Sequence, residues 1–536
     1  MYLPIIGLEI HIQLKTKSKM FCSCDNSGEN QPPNTTICPV CMGFPGSLPV
    51  INRQAVEWTI LMGLALDGKI AEFSKFDRKN YFYPDLPKGY QISQYDFPFV
   101  QNGYLIIPDL NKKIRINRIH LEEDAAKLQH SQNKKYSLVD FNRSSTPLME
   151  VVTEPDFRTS QEAKNFLQEL RLIARYQEIS DADMEKGHLR CDANISLMPL
   201  KELDGINDFD AKKFLDKLYP KTEIKNLNSF KAVEKALEYE IRRQTKLWEQ
   251  KNPPKEQTTR GWDENKEITV EQRTKEEAHD YRYFPEPDLP PLYIKEKKDD
   301  TNDSSKIILE QIRLQLKELP QQKRIRFMEE YGFTLDEVKI LTENCALSYY
   351  TEQVISELRE WFFSFDKIQE KQREKVWQEN KEKLHKLAAS WLINRLAKYL
   401  SNTKIKIPIC LSKNDLEFWK KQSLKISPEN FAELLCLIYK NKINQINAQK
   451  VLEKMFKTGA DPSDIMREQG LEQVSDEIEL ENLVKKVIEN NLEIVKEYKN
   501  GKESVLQFLI GQAMKESKGK ANPQIIMEIL KKIIIL

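Results

Sequence analysis

Four cysteines crowd into twenty residues. Cys22 and Cys24 are separated by one residue, Cys38 and Cys41 by two, and thirteen residues lie between the pairs. Four thiolates fill the tetrahedral shell of a zinc ion and leave no open position, so such a site is structural and not catalytic. The plainer alternative is four free thiols in a loop. A second group of reactive side chains lies on strands. From Ile5 to Leu14 the residues alternate, with Leu8, Ile10, Ile12 and Leu14 on one face and Gly7, Glu9, His11 and Gln13 on the other. Glu9 and His11 then stand about 7 Å apart on one face. In Arg115–Asp124, Ile119 and Leu121 share the apolar face, and Arg118, His120, Glu122 and Asp124 the polar one. In Arg190–Leu197, Arg190, Asp192, Asn194 and Ser196 are polar-side. Glu150 is a carboxylate in the otherwise apolar run of Arg143–Val152. A half-solvated antiparallel sheet explains alternation by itself. It explains less well why the polar positions carry Glu, His, Asp and Arg. Converging carboxylates and a histidine suit a hard divalent cation such as Mg²⁺ shared with phosphates.

No Ser/His or Cys/His constellation for nucleophilic catalysis accompanies these groups. The string Gly63 to Lys69 begins like a phosphate-binding loop but has Ile70 where Ser or Thr must reach Mg²⁺, and it sits in a predicted helix, Val56–Leu66. Any ATP must bind by another geometry.

The elements that would position these residues follow from texture. Residues 1–294 are rich in Pro, aromatics and short alternating segments. A polar stretch, Glu296–Lys306, reads as a linker. Helical spacing follows, as in Leu384, Leu387, Ala388, Trp391 and Leu392. The Pro-interrupted Lys404–Leu416 suggests another boundary, and a last helix begins after Gly519, with Asn522 as N-cap and Pro523 first. The expected fold class is α+β: a sheet-containing domain over 1–294, a helical domain over 295–410 and a helical tail over 411–536. With 536 residues, 40% of them hydrophobic, the chain can build sizeable cores. Lys and Arg number 83, Asp and Glu 82, and the net charge is +1, which excludes a uniformly basic nucleic-acid coat. The last 41 residues hold eight lysines and four glutamates, a basic patch open to RNA contact or to ordinary surface. No apolar run reaches the ~20 residues of a membrane span. The N-terminus lacks the pattern of a secretory or transit signal, so an intracellular, cytoplasmic protein is expected.

Longer strings carry more. Asp77–Gln94 (DRKNYFYPDLPKGYQISQ) strongly resembles a signature of the B subunits of tRNA-dependent amidotransferases (GatB, of the GatCAB complex). So, in order, do Gly7–Cys22, His120–Leu128, Asn142–Asp156, Arg190–Ser196, Glu223–Phe230, Asp280–Leu292 and, in a YqeY-like tail, Phe508–Gln524. The resemblance implies a cradle-shaped catalytic domain, a helical domain and a tRNA-binding tail. It implies ATP- and Mg²⁺-dependent phosphorylation of the side-chain carboxylate of Glu-tRNA(Gln), Asp-tRNA(Asn) or both. Amidation then follows, with ammonia from a glutaminase A-type partner, in a heterotrimer completed by a small C-type partner. Carried over by motif, the catalytic and Mg²⁺-holding positions are Glu9, His11, Glu122 or Glu123, and Glu150, extended to Asp192. Arg78, Lys79, Arg190, Lys225 and Arg282 are proposed for phosphate or tRNA, against the alternative of structural ion pairs. Tyr81, Phe82 and Tyr83 suit base stacking, though core is the ordinary expectation. The cysteine cluster matches a zinc position that some members keep. Departures are Ala126 and Ser145 where glycine is usual, Thr258 where an acid is usual, and a longer segment over 201–222. The rival readings are a tRNA-binding scaffold and a zinc-stabilised RNA-binding module.

Overall fold

The structure is a computed structural model. It describes the chain except residues 109, 132–135, 204–209, 275–280, 298–305, 366–368, 403–424, 472–476, 500–501, 503, 518–520, 522 and 536. The expected boundary segment Lys404–Leu416, the cap at Asn522 and most of the expected linker lie outside the described residues. The class is α+β, with a sheet-rich N-terminal region and a helical C-terminal region.

The chain divides into two compact units, Met1–Gln322 and Lys323–Leu536. The first is built on a nine-stranded sheet. Its central strands are β1 (Tyr2–Gln13) and, further along the chain, the strands that flank β1. In chain order the labelled strands are β2 (Asp77–Asn80), β3 (Tyr90–Ser93), β4 (Lys112–Glu123), β5 (Pro147–Thr153), β6 (Leu189–Pro199) and β7 (Thr222–Leu227). Across the sheet the order runs Ile268–Thr274, Thr258–Asp263, β7, β6, β1, β5, β4, Val100–Ile107, Lys69–Ile70. Neighbours are antiparallel except β7 and Thr258–Asp263, which run parallel. Strands β2 and β3 pair outside this sheet, in a small three-stranded one with Phe284–Pro285.

The alternation expected of the sequence is realised. On one face Ile6, Leu8, Ile10 and Ile12 of β1, Ile119 and Leu121 of β4, Met149 and Val151 of β5, and Ala193 and Ile195 of β6 are buried. Each larger side chain among them contributes about 1.5–3 kcal/mol. Three long helices add to that core: α1 (Arg53–Ala65), α2 (Ser160–Tyr176) and α3 (Phe230–Glu249). Asn52, Thr159 and Ser229 cap them by accepting backbone N–H bonds from Ala55, Glu162 and Ala232. In α2, Ala163, Phe166, Leu167, Leu170 and Ile173 form the buried stripe. Gly63, in the rejected phosphate-loop string, lies inside α1. With the helices on one face, the other is left to Glu9, His11 and their neighbours.

The second unit is helical. One apolar core joins residues from Phe327 to Met466, and another joins Leu480 to Ile534. The helix Glu370–Trp391 buries Leu384, Ala388 and Trp391, and the last helix runs Pro523–Ile535.

Candidate catalytic face and metal centre

Strand register decides which polar residues meet. His11 of β1 stands opposite Glu150 of β5, and Glu150 opposite His120 of β4. On the other side His11 faces Arg190, and Glu9 faces Asp192, both on β6. The row His120–Glu150–His11–Arg190 thus crosses four strands on one face. His11 Nε2 lies 3.3 Å from Glu150 and 3.7 Å from Glu122. His120 Nε2 lies 3.2 Å from Glu150 and 3.8 Å from Glu122. Ser93 at the end of β3 donates its hydroxyl to Glu122 at 3.1 Å. Two overlapping sets of metal-type ligands result, Glu9–His11–Glu150 and His120–Glu122–Glu150, each with its ligand atoms within 4.8 Å.

Burial and charge polarise this face. Burial works against the charged imidazole of His120, yet the carboxylates of Glu150 and Glu122 raise its pKa to about 9. His11 is likewise raised against its burial by Glu150 and Glu122. Glu150 is buried, which would raise it, but His120 and His11 hold it well below the usual carboxylate range. Burial also works to raise Glu122, which His120 and Lys79 bring down. Glu9 moves the other way, raised by burial and by the charge of Glu150. Oxygen and imidazole donors of this kind fit a divalent cation.

The other sequence candidates separate. Glu123 is not brought into the cluster. It points from the opposite side of β4, pairs with Lys88 at 2.6 Å and accepts the Ile92 N–H at 2.9 Å. Asp192 is on the face, paired with Lys225 at 2.6 Å, and Lys225 also reaches Glu223 at 3.2 Å. Arg190 pairs with buried Asp124 at 2.8 Å. Lys79 of β2 feels the charge of Glu122 and Glu150, which keeps it protonated against burial, and lies 4.9 Å from the Tyr281 ring. Arg78 instead grips Glu286 with two bonds of 2.7 Å and stacks over Tyr90, an ion-pair arrangement. Arg282 is exposed, with φ +43°. Phe82 and Tyr83 are exposed, 85% and 54%, so the ordinary expectation of a core position fails for them. Two members of the cluster carry no role in the sequence motifs. His120 shares the alternation of Glu122, and that period was the signal for it. Ser93 comes from a strand of a different sheet, and although it lies in the Asp77–Gln94 string no alternation there sets it on this face.

The four cysteines converge, their Sγ atoms within 4.8 Å of one another. A turn braced by Lys19 N–H to Cys24 O, 3.0 Å, presents the first pair. The second pair is wound by Met42 N–H to Cys38 O, 3.1 Å, and Phe44 N–H to Pro39 O, 2.8 Å, with Gly43 at φ +68°. The Cys38 N–H donates to Cys41 Sγ at 3.2 Å. A hydrogen bond from Cys22 outweighs burial and draws the Cys41 thiol down to about 5. The donor set and its spread fit one structural metal ion. The loop is held to the domain by Asn142, whose side-chain oxygen accepts the N–H groups of Thr35 and Thr36 at 2.8 and 2.9 Å.

Among the described residues no helix is long and apolar enough to cross a membrane. Residues 4–299 match the family described as GatB/GatE catalytic domain, and residues 374–534 that described as GatB domain. The chain is 46% identical to a Dehalococcoides mccartyi protein named as the B subunit of aspartyl/glutamyl-tRNA(Asn/Gln) amidotransferase, over 99% of this chain and 98% of that one. Proteins of the same name from Caldicellulosiruptor bescii, at 44%, and Thermodesulfovibrio yellowstonii, at 45%, cover 99% of this chain and 98% and 99% of their own lengths. Matched in both of its regions and, nearly end to end, by relatives at about 45% identity, this chain belongs to the family of tRNA-dependent amidotransferase B subunits.

Proposed function

We propose that this chain is the synthetic subunit of an aspartyl/glutamyl-tRNA amidotransferase. The reaction begins with attack of the side-chain carboxylate of Glu-tRNA(Gln), Asp-tRNA(Asn) or both on the γ-phosphorus of ATP, with ADP leaving. Ammonia then attacks the activated carbonyl carbon, phosphate leaves, a proton is released and the amide remains. A free carboxylate acylates poorly because hydroxide leaves poorly, and phosphorylation supplies the better leaving group. No protein nucleophile is needed, and positioning with charge neutralisation is enough.

The observation that carries this reading is the His120–Glu150–His11 row with Glu122 and Glu9 beside it. Glu9, His11, Glu122, His120 and Glu150 would hold Mg²⁺, which when bound neutralises phosphate charge. Lys79 is placed to offset negative charge beside Glu122 and Glu150. Glu9, in the same cluster, would also help to orient ammonia for its attack. Asp192, Arg190 and Lys225 line the same face as a charged continuation toward substrate. Ammonia would come from the glutaminase A-type partner, with the small C-type partner completing the complex, in the cytoplasm. The cysteine loop would hold a structural zinc ion that fixes its conformation.

The test is amide formation on both misacylated tRNAs with ATP, Mg²⁺ and free ammonium, using the complex with its partner chains. The wild-type complex should form amide. Glu150→Gln keeps the shape and removes the charge, and should lower the rate on the order of a hundredfold or more, with tRNA binding nearly intact. Equal rates for the two proteins would overturn the assignment of this face. No amide from the wild type would favour a tRNA-binding scaffold.

A further inference from the structure

The four-cysteine loop has a buried lysine at its base. Lys19 is 0% exposed. Its backbone is tied to the first cysteine pair: the N–H donates to Cys24 O at 3.0 Å, and the carbonyl accepts the Asn52 side-chain amide at 3.2 Å. Its ammonium reaches across to Phe141 O, 3.4 Å away. Phe141 donates its own N–H to the Asn34 side chain, and Asn142 beside it holds Thr35 and Thr36, just ahead of the second pair. Lys19 therefore spans the segments that bring the four cysteines together.

This is an unusual place for a charge. An ammonium has three donors, and one long bond to a neutral carbonyl is all that the described residues give it. No carboxylate pairs with it among them. A buried charge is ordinarily paired or set beside a metal centre, because burial alone is strongly unfavourable. The neighbour able to balance Lys19 is the cysteine cluster. The thiolate of Cys41, itself 1% exposed, is favoured first by the hydrogen bond from Cys22, then by the Cys38 N–H, then by the charge of Lys19, with burial opposing. Four thiolates around a divalent ion leave two negative charges in excess. Backbone donors disperse part of that excess, as the Cys38 N–H does on Cys41 Sγ at 3.2 Å. A fixed cation in the loop offsets a full unit of it, and salt screens buried charges little.

We propose that Lys19 is the internal counter-ion of the four-cysteine site, and that its charge, more than its hydrogen bond to Phe141, sets how tightly the loop holds a divalent metal ion. The inference rests on the reading of this loop as a structural zinc site and does not depend on the amidotransferase reaction.

Two neutral substitutions separate the charge from the contact. Lys19→Met keeps a long buried stem and removes both charge and donor. Lys19→Gln removes the charge and keeps an N–H donor for the Phe141 carbonyl. Both would be made in the full chain within its complex, kept reduced. Co²⁺ reports the site through thiolate-to-metal charge-transfer absorption, which carboxylate and imidazole ligands lack, and competition with a chelator gives the Zn²⁺ affinity. The wild type and both variants are expected to show the absorption, with Zn²⁺ affinity lowered about tenfold or more in each variant. Melting supplies a second readout. Lys19→Met should lower the melting temperature of the zinc-loaded complex and leave that of the chelated complex unchanged or higher, because without metal the buried charge has lost its counterpart. Equal lowering in both states would make Lys19 a packing residue and overturn the proposal. Wild-type affinity in Lys19→Gln, with the loss confined to Lys19→Met, would assign the effect to the hydrogen bond and overturn it too, as would unchanged affinity in both. A wild type without the thiolate absorption would instead overturn the zinc reading beneath it.

Discussion

Ser145 stands at φ +65°, in the left-handed region that disfavours a side chain. Two backbone bonds hold it there. Its N–H donates to Asp124 O at 2.9 Å, and its carbonyl accepts the Met20 N–H at 2.7 Å. Its hydroxyl is buried and has no hydrogen-bond partner among the described residues. The other missing glycine, Ala126, shows no such backbone and simply packs, 1% exposed. Of the two departures, only Ser145 carries strain. Ser145→Gly relieves the backbone and removes the buried hydroxyl, and should stabilise the protein by about 1 kcal/mol, read as a higher melting temperature with amidation unchanged. At this scale the sequence was informative to a limit. Alternation placed Glu9, His11, Glu122 and Asp192 on one face because side-chain direction repeats every two residues. Motif alone could not choose between Glu122 and Glu123, and it gave His120 no role. That choice depends on which strand lies next to β4 and in what register, which is a long-range fact.

At the scale of elements, caps and stripes were readable and the packing between elements was not. The helix Pro428–Tyr439 starts at Ser427, which accepts the Asn430 N–H, and buries Phe431, Leu434, Leu435 and Ile438. The same helix buries a carboxylate, Glu433. One Glu433 oxygen takes the Ser463 hydroxyl, and the other has no hydrogen-bond partner among the described residues. Asp461, which caps the helix Pro462–Glu468, and Asp464 add like charge. Burial first, then these carboxylates, raise the Glu433 pKa from 4.5 to about 7. A carboxyl whose folded pKa is raised favours the folded state while it is protonated. Its contribution is therefore greatest at and below pH ~4.5 and is lost as pH rises through about 7. Glu433→Gln keeps the shape without the charge. It should raise the melting temperature of the helical unit at pH 8 by about 4 °C and leave it nearly unchanged at pH ~4.5. An equal shift at both pH values would show that Glu433 does not titrate in this range.

At the scale of the molecule, the Pro-interrupted stretch Lys404–Leu416 suggested a boundary at residue 410. The apolar core of the second unit draws on both sides of it. Tyr350 lies 6.1 Å, ring to ring, from Phe431, and its hydroxyl donates to Ile426 O at 3.3 Å. Cys436 and Leu435 are buried in the same core as Leu358 and Leu384. A local interruption records where a helix stops, whereas a core records which segments need one another, so the two give different divisions. Three truncations follow from the cores. A chain cut after residue 410 loses half of a shared core and should expose apolar surface and aggregate. A cut after Gln322 keeps a complete core and should stay folded, retaining Mn²⁺ and ATP-analogue binding. A cut after Leu471 removes the separate core over Leu480–Ile534 and the whole of the lysine-rich last 41 residues. That last protein should keep ATP hydrolysis largely intact and bind tRNA more weakly. Its deficit against the full chain should narrow as salt rises, because lysine–phosphate pairing draws its strength from counterion release, which salt suppresses. Filter binding at two salt concentrations measures this, and unchanged tRNA affinity at low salt would remove the tail from the tRNA-binding surface.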